Sequence, residues 1–182
     1  EITFAARENA LDVEQDTEAW ISESRNAIAL DPAQVEVVDL RNWRTDRAGL
    51  HKLLASKDVI WVCGGNGFYL RWILKESGAD AIIRQLVAQG TVYAGWSAGA
   101  VLAGPTLQYY DIVEDLTVVP QVYYDALNLT DVAVCPHMDL EQFAAGMKEV
   151  EEKLRQIGIR TAPLTDAMAL VIEGDVHERL GG

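Results

Sequence analysis

One stretch of the chain reads Thr91-Val92-Tyr93-Ala94-Gly95-Trp96-Ser97-Ala98-Gly99-Ala100. Its first half is largely apolar, as in a strand, and its second half consists of small residues that suit the start of a helix. A Gly-x-Ser-x-Gly pattern lies between them. In this strand-turn-helix setting the pattern predicts a nucleophile elbow, a strained turn that lifts a serine hydroxyl above the edge of a sheet. The alternative is a tight turn whose serine only caps the helix.

Apolar, strand-like runs alternate with helical patterns on both sides of this stretch. Strands are predicted at residues 2–6, 35–40, 58–63, 91–96, 131–135 and 167–173, and helices at 13–30, 50–55, 68–76, 79–89, 140–157 and from 98 onward. Residues 112–122 fit either a hairpin or an extended loop. Apolar strands separated by helices are typical of a parallel sheet covered on both faces. We therefore expect an α/β fold of three layers, with a mostly parallel sheet, helices on both faces and the elbow after a central strand.

The length and composition fit one folded unit. The 182 residues are enough for a single domain with a sizeable core, and no Pro/Gly/Ser-rich linker divides them. We therefore expect residues 1–182 to form one α/β domain.

A serine hydroxyl needs a base that removes its proton before it can attack a carbonyl carbon. The chain contains three histidines. His137 follows the apolar run 132–135 after one proline, which places it at the end of a predicted strand, where α/β sites gather their groups. His51 lies in a polar helical stretch, and His177 lies among charged residues near the C-terminus. We therefore predict Ser97 as the nucleophile and His137 as the base.

The stretch Gly64-Gly65-Asn66-Gly67 follows another predicted strand and precedes a helix. Glycines in such a loop let backbone amides approach a ligand closely. Elbow enzymes hold the oxyanion with the amide of the residue after the nucleophile, here Ala98, and with a loop amide. We predict that Gly65 supplies the second amide and that Asn66 contacts the substrate. The spacing does not match either common phosphate-binding motif.

Charge and cysteine content narrow the class of protein. The formal net charge is −13, which argues against nucleic acid and anionic membranes as partners. No apolar run is long enough to span a bilayer. Cys63 and Cys135 each lie in an apolar run, a pattern typical of buried thiols in a reducing compartment. The three histidines lack the spacing of metal ligands. We expect a cytoplasmic protein that uses neither a metal nor a cofactor.

Several motifs occur together in an order that resembles the dipeptidase E family of serine peptidases, a relative of cyanophycinase. The motifs are Gly64-Gly65-Asn66-Gly67-Phe68, Gly95-Trp96-Ser97-Ala98-Gly99-Ala100, Gly104-Pro105-Thr106, Asp125-Ala126-Leu127-Asn128-Leu129 and Pro136-His137. The similarity covers nearly the whole chain. It implies a fold related to class I glutamine amidotransferases, with serine in place of their cysteine. It also implies Ser97 as the nucleophile, His137 as the base and an oxyanion site that includes Gly65.

The sequence departs from this family at three places. Cys63 stands where the family usually has the first of three glycines. A strand and a helix that precede the similar region in the family are not evident, so we expect that some N-terminal residues are missing. Residues 138–143, after the histidine, contain no arginine. This last difference leaves open whether an N-terminal aspartate is required in the substrate.

The acid that orients the histidine has two candidates. Asp166 lies in the turn before the apolar strand 167–173 and matches an acidic position of the family. Asp111 lies one residue away from a second acidic position, which is assigned to the triad in some members. A triad acid must lie close to the histidine and hold its ring in the productive tautomer. We favour Asp166 and keep Asp111 as the alternative.

The resemblance implies hydrolysis of short peptides, which are then the expected partners. One alternative keeps the chemistry and changes the substrate to another amide or ester, such as a cyanophycin-like polymer or a peptide C-terminus. Another is a non-catalytic ligand-binding protein on the same fold. The direction of cleavage along a peptide stays open, and so does the assembly state, for which a homodimer is one option.

Overall fold

The computed structural model describes residues 2–4 and 35–182, and within them a parallel sheet forms the frame of the molecule. Its strands are β1 (Ile2–Phe4), β2 (Glu36–Val38), β3 (Val59–Val62) and β4 (Val92–Gly95). They pair in the order β2-β1-β3-β4, and every pair is parallel. Helices follow the strands along the chain, so the expected α/β fold is confirmed.

The register of this sheet brings separate loops to one edge. Phe4 pairs with Val62, and Val62 pairs with Gly95, so three parallel strands end at the same level. The loop that begins at Cys63 and the turn at Ser97 both leave the sheet from this edge. Active sites of open α/β sheets lie at such carboxyl edges.

Three α-helices of the described residues lie before the elbow in the chain. They are α1 (Arg47–Leu54), α2 (Gly67–Ser77) and α3 (Ala79–Ala88), close to the predicted bounds. Gly78 joins the last two with φ 76°, a left-handed conformation that glycine adopts at little cost. Leu70, Leu74 and Ile83 are fully buried, and burial of each such side chain contributes about 1.5–3 kcal/mol.

After the elbow the chain forms the short helix α4 (Ala98–Ala103), the strand β5 (Val132–Cys135), the long helix α5 (Glu141–Gln156) and the strand β6 (Arg160–Pro163). β5 and β6 form a separate two-stranded parallel sheet. All four residues of β5 are buried, as its unbroken apolar run predicts.

The C-terminal residues form an antiparallel hairpin of β7 (Ala169–Glu173) and β8 (Val176–Leu180). Its turn lies at Gly174 and Asp175. β8 was not predicted, because it carries three consecutive polar residues between its apolar ends. β6, which is short, begins with arginine and ends with proline, was not predicted either.

One expectation about the fold needs correction. β4 is the last strand in the order of its sheet, so within the described residues the elbow follows an edge strand rather than a central one. The next strand along the chain, β5, pairs with β6 instead, after a long irregular connection. In that connection residues 112–122 form a loop, the second of the two predicted alternatives, and a 3-10 helix (Tyr110–Ile112) ends at its first residue. An isolated bridge between Thr106 and Asp125 closes the connection.

One further strand prediction was only partly right, and two other predictions reach into residues that the structure does not describe. The strand predicted at 35–40 is shorter, because a 3-10 helix (Leu40–Trp43) begins where the side chain of Asp39 accepts a hydrogen bond from the amide of Arg41. Of the strand predicted at 2–6, the described part is β1. The helix predicted at 13–30 is not among the described residues.

The burial of both cysteines agrees with their apolar surroundings in the sequence. Cys63 and Cys135 are buried, and neither is in a disulfide. Burial raises the pKa of the Cys135 thiol to about 12, so it is protonated near neutral pH. No helix in the described part of the chain is both long and apolar enough to cross a membrane.

Candidate active site

The turn between β4 and α4 has the backbone geometry of an elbow. Ser97 has φ 53° and ψ −121°, a conformation that non-glycine residues rarely adopt. Such a residue costs on the order of 1–3 kcal/mol and persists only where its surroundings hold it in place. The alternative reading, a serine that caps the helix, is not observed: the Ser97 side chain makes no capping hydrogen bond.

Glycines make the elbow possible because backbones touch at this point. A Cβ atom on Gly99 would lie 2.0 Å from the carbonyl oxygen of Val62 in β3. A Cβ atom on Gly95 would lie 2.4 Å from the carbonyl oxygen of Gly99. Both distances are far below van der Waals contact, so a side chain at either position would push α4 away from the sheet.

The side chain of Tyr93, in β4, stabilises the first turn of α4. Its hydroxyl donates a 2.6 Å hydrogen bond to the carbonyl oxygen of Gly99. Burial raises the pKa of this phenol, which therefore stays a donor at any physiological pH. Close backbone packing and a partly buried hydrogen bond therefore both stabilise the strained turn.

The structure brings three of the predicted site residues together. Nε2 of His137 lies 2.8 Å from Oγ of Ser97, across 40 positions of sequence. Nδ1 of the same ring lies 2.6 Å from Oδ1 of Asp166, across 29 positions. The His137 side chain is 13% exposed and that of Asp166 is 42% exposed. The ring of Phe143 packs against the imidazole at a centroid distance of 5.4 Å.

Pairing of β5 with β6 explains why His137 and Asp166 meet. The ladder continues beyond both strands, because the amide of Leu164 donates to the carbonyl of Cys135 at 2.9 Å. The amide of Met138 then donates back to the carbonyl of Leu164 at 3.0 Å. His137 lies between these bonds with φ 59°, so its strained backbone is held on both sides.

The other candidates from the sequence lie elsewhere. Asp111 is exposed in the 3-10 helix Tyr110–Ile112 and makes no hydrogen bond to His137. His51 lies in α1. His177 lies in β8, where its Nδ1 is 3.2 Å from Nη2 of Arg160. None of these three residues joins Ser97.

The glycine-rich loop lies directly against the serine. A Cβ atom on Gly64 would lie 2.8 Å from Cβ of Ser97, so only glycine fits between loop and elbow. Gly65 has φ 113°, again a conformation for glycine. In the described part of the chain, neither the amide of Gly65 nor that of Ala98 donates a hydrogen bond. Unpaired backbone amides are available to a ligand or to water.

Asn66 has a structural role in this loop. Its side chain is 3% exposed and accepts a 2.9 Å hydrogen bond from the amide of Tyr69, as the N-cap of α2. Its Nδ2 donates to the carbonyl of Asp115 at 2.9 Å. These bonds use the oxygen and one N–H of the amide group, and the expected contact between Asn66 and a substrate stays a prediction. An asparagine just before a helical apolar run is itself a capping signal.

Glu114 is a neighbour of the loop that the sequence analysis missed. Its carboxylate accepts a hydrogen bond from the amide of Gly67, the first residue of α2. A negative charge is favourable at a helix N-terminus. Glu114 lies in a stretch without periodicity, so no local signal could have indicated this contact.

Metal ligation has no support in this arrangement. Within residues 2–4 and 35–182, no group of three or more His, Cys, Asp or Glu side chains is placed to hold a metal ion. The side chains of Ser97, His137 and Asp166 are instead connected by hydrogen bonds in that order.

Comparisons with known proteins agree with this geometry. The profile of peptidase family S51 matches residues 12–180. An uncharacterized peptidase of Listeria monocytogenes, Lmo0363, is 39% identical over 102 residues, which are 56% of this chain and 48% of that protein. Peptidase E of Escherichia coli is 33% identical over 122 residues, 66% of this chain and 50% of that protein.

A solved structure is also similar. The crystal structure of a candidate peptidase E protein from Listeria monocytogenes EGD-e superposes with a TM-score of 0.74 at 29% identity, covering 99% of this chain and 85% of that one. This chain matches only about half the length of the two curated relatives named above. The family match nevertheless extends over most of the chain, which belongs to peptidase family S51, the serine-peptidase family of peptidase E.

Proposed function

We propose that this protein hydrolyses short peptides through a Ser97–His137–Asp166 triad and a backbone oxyanion hole. The observation that carries the proposal is the row of contacts from Ser97 Oγ to His137 Nε2 at 2.8 Å and from His137 Nδ1 to Asp166 Oδ1 at 2.6 Å. A carboxylate at Nδ1 favours the tautomer in which Nδ1 carries the proton. Nε2 is then free to accept the proton of the serine.

The reaction is acyl transfer to water. Oγ of Ser97 attacks the amide carbon while Nε2 of His137 takes the hydroxyl proton. The same imidazolium then gives this proton to the leaving amine as the C–N bond breaks. Water, deprotonated by His137, attacks the acyl ester in turn and releases the acid, which regenerates the serine hydroxyl.

The amides of Gly65 and Ala98 form the oxyanion hole in this proposal. Both are unpaired in the described residues, and Gly64 places the loop in direct contact with Ser97. Donors that are held in place before the reaction stabilise the developing charge without reorganising. Loss of one such donor typically costs about 100- to 1000-fold in turnover.

The proposal extends to architecture and substrate. The parallel sheet with its elbow at the carboxyl edge supports the layering of class I glutamine amidotransferases, in one domain. Two residues after His137 the chain carries the acidic Asp139, whose side chain contacts the amide of Asp166, and residues 138–143 contain no arginine. The proposed substrates therefore include peptides with neutral and basic N-terminal residues as well as Asp-X peptides. Esters and cyanophycin-like polymers are the alternatives within the same chemistry.

Two measurements test the proposal. A fluorophosphonate should label Ser97 and should not label Ser97→Ala; folded protein that refuses the probe would favour a binding protein instead. A dipeptide library, with both fragments identified, then defines the substrate and the direction of cleavage. Internal cleavage of denatured casein with every dipeptide untouched would contradict a dipeptidase.

Triad membership is tested by combining variants. Ser97→Ala and His137→Ala should each lose on the order of a million-fold in turnover, and the double variant should be no worse, because triad residues act as a unit. Losses that multiply would mean that the two residues serve separate steps.

A further inference from the structure

The proposed triad acid lies in a loop that packing alone does not hold. Asp166 follows β6 by three residues, and its side chain is 42% exposed. The ladder bonds at Leu164 end before it, and the bond from the amide of Met168 to the carbonyl of Thr165, at 3.0 Å, closes only the turn around it. An exposed carboxylate in such a turn has several rotamers and backbone positions available.

One bond ties the backbone of Asp166 to the histidine loop. The amide of Asp166 donates a 3.0 Å hydrogen bond to Oδ1 of Asp139, which lies two residues after His137. The carboxylate of Asp166 in turn contacts His137 at 2.6 Å. The two loops are therefore joined reciprocally: the histidine loop holds the amide of Asp166, and the side chain of Asp166 holds the histidine ring.

We propose that Asp139 is a positioning residue, which fixes the proposed triad acid by accepting the hydrogen bond of its backbone amide. This inference rests on the proposed function. It adds a fourth residue to the serine, the histidine and the acid of the proposed triad. Asp139 acts through Asp166 and makes no contact with Ser97. The role requires an acceptor oxygen at this position, and an asparagine could supply it.

Substitutions of Asp139 should show whether its role depends on the acceptor oxygen or on the negative charge of the carboxylate. Asp139→Ala removes the acceptor and should lower kcat about ten- to a hundredfold with little change in KM, because a misplacement near 1 Å can cost about a hundredfold. Asp139→Asn keeps an acceptor oxygen and should recover most of that loss. Asp175→Ala is the matched control, since Asp175 is exposed in the turn of the C-terminal hairpin and makes no hydrogen bond in the described residues.

The same substitution in an Asp166→Asn protein distinguishes a positioning role of Asp139 from general damage to the fold. If Asp139 acts only through the carboxylate of Asp166, Asp139→Ala should have no further effect on turnover in an Asp166→Asn protein. A loss of the same size in both backgrounds would show that the substitution merely disturbs the fold. A wild-type rate for Asp139→Ala would equally overturn the inference.

A spectroscopic readout keeps this test independent of activity. The proton on Nδ1 of His137 should give a far-downfield NMR signal in the wild type, because a short hydrogen bond to the carboxylate of Asp166 deshields this proton and slows its exchange with water. That signal should broaden or vanish in Asp139→Ala and persist in Asp139→Asn and Asp175→Ala. A protein that neither hydrolyses peptides nor reacts with a fluorophosphonate would refute the proposed function, whereas an unchanged signal in Asp139→Ala would refute the role of Asp139.

Discussion

The hydroxyl of Tyr93 donates a 2.6 Å hydrogen bond to the carbonyl oxygen of Gly99, so the strand before the elbow holds the helix after it. The two residues flank the strained Ser97 on either side. The bond is partly buried, which limits the access of water to it. Its role is to hold the elbow rather than to take part in proton transfer.

Removal of this hydroxyl should weaken the elbow without unfolding the protein. Tyr93→Phe leaves the Gly99 carbonyl without its side-chain donor, and we expect a loss of about 1–3 kcal/mol in the free energy of unfolding. Urea denaturation measures this loss. Tyr109→Phe is the control, because the Tyr109 hydroxyl makes no hydrogen bond in the described residues. Equal stability of the two variants would show that the bond is unimportant.

A side chain at Gly99 should be far more damaging. The Cβ atom of Gly99→Ala would meet the carbonyl oxygen of Val62 at 2.0 Å, and both atoms belong to backbone that cannot move away cheaply. We expect either no soluble protein or a loss of labelling at Ser97 by a fluorophosphonate. Gly174→Asn is the matched control, since its Cβ has open space and asparagine tolerates the φ of 57°. Normal labelling of Gly99→Ala would contradict the packing described.

The two candidate acids should differ in their effect on turnover. Asp166→Asn disturbs the contact that selects the tautomer of His137, and loss of that selection can cost about ten-thousand-fold in kcat. Asp111→Asn should change turnover little, because Asp111 is exposed and away from the histidine. Steady-state kinetics on the best dipeptide substrate decides the order. The reverse order would transfer the role to Asp111.

The buried ion pair between α2 and α3 should contribute more to the free energy of unfolding than an exposed ion pair does. Arg71 is fully buried, and its Nη1 lies 3.1 Å from Oδ2 of Asp80. Asp80→Ala removes the buried one of the two carboxylates that pair with this guanidinium and leaves the pair with Asp125, so we expect a loss of up to about 3 kcal/mol, the lower end of what breaking a buried pair costs. Glu149→Ala removes an exposed pair with Lys153 and should cost less than about 1 kcal/mol. Chemical denaturation of both variants tests the contrast, and similar losses would contradict it.

The carboxylate of Asp125, which also pairs with Arg71, should make the stability of the protein depend on pH. Partial burial raises the pKa of the Asp125 carboxyl, but the hydrogen bond and charge of Arg71 and the charge of Lys75 outweigh this and hold the pKa below its usual value. The ionised form is therefore favoured by folding, so its stabilisation is present above the pKa of the unfolded chain, near 4. It is lost as the pH falls through the lower pKa of the folded state. Asp125→Asn should flatten the loss of stability as the pH falls below about 4; an unchanged slope would refute this assignment.

Local sequence determined much of this protein. The elbow, the glycine-rich loop and the position of His137 were predictable because each depends on neighbouring residues: small side chains around a strained turn, glycines beside a ligand site, and a histidine directly after an apolar strand. Buried strands such as β5 were predictable for the same reason. Residue type and spacing were also enough to indicate the family.

Tertiary structure alone decided the remaining relationships. The choice of Asp166 over Asp111 as the partner of His137 depends on the pairing of β5 with β6, and nothing in β6 indicates a strand. The contact of Glu114 with α2 and the bond from Asp139 to Asp166 likewise join segments that pack together only after folding. A hydrogen bond between residues far apart in sequence depends on the path of the whole chain, which periodicity over a few residues does not encode.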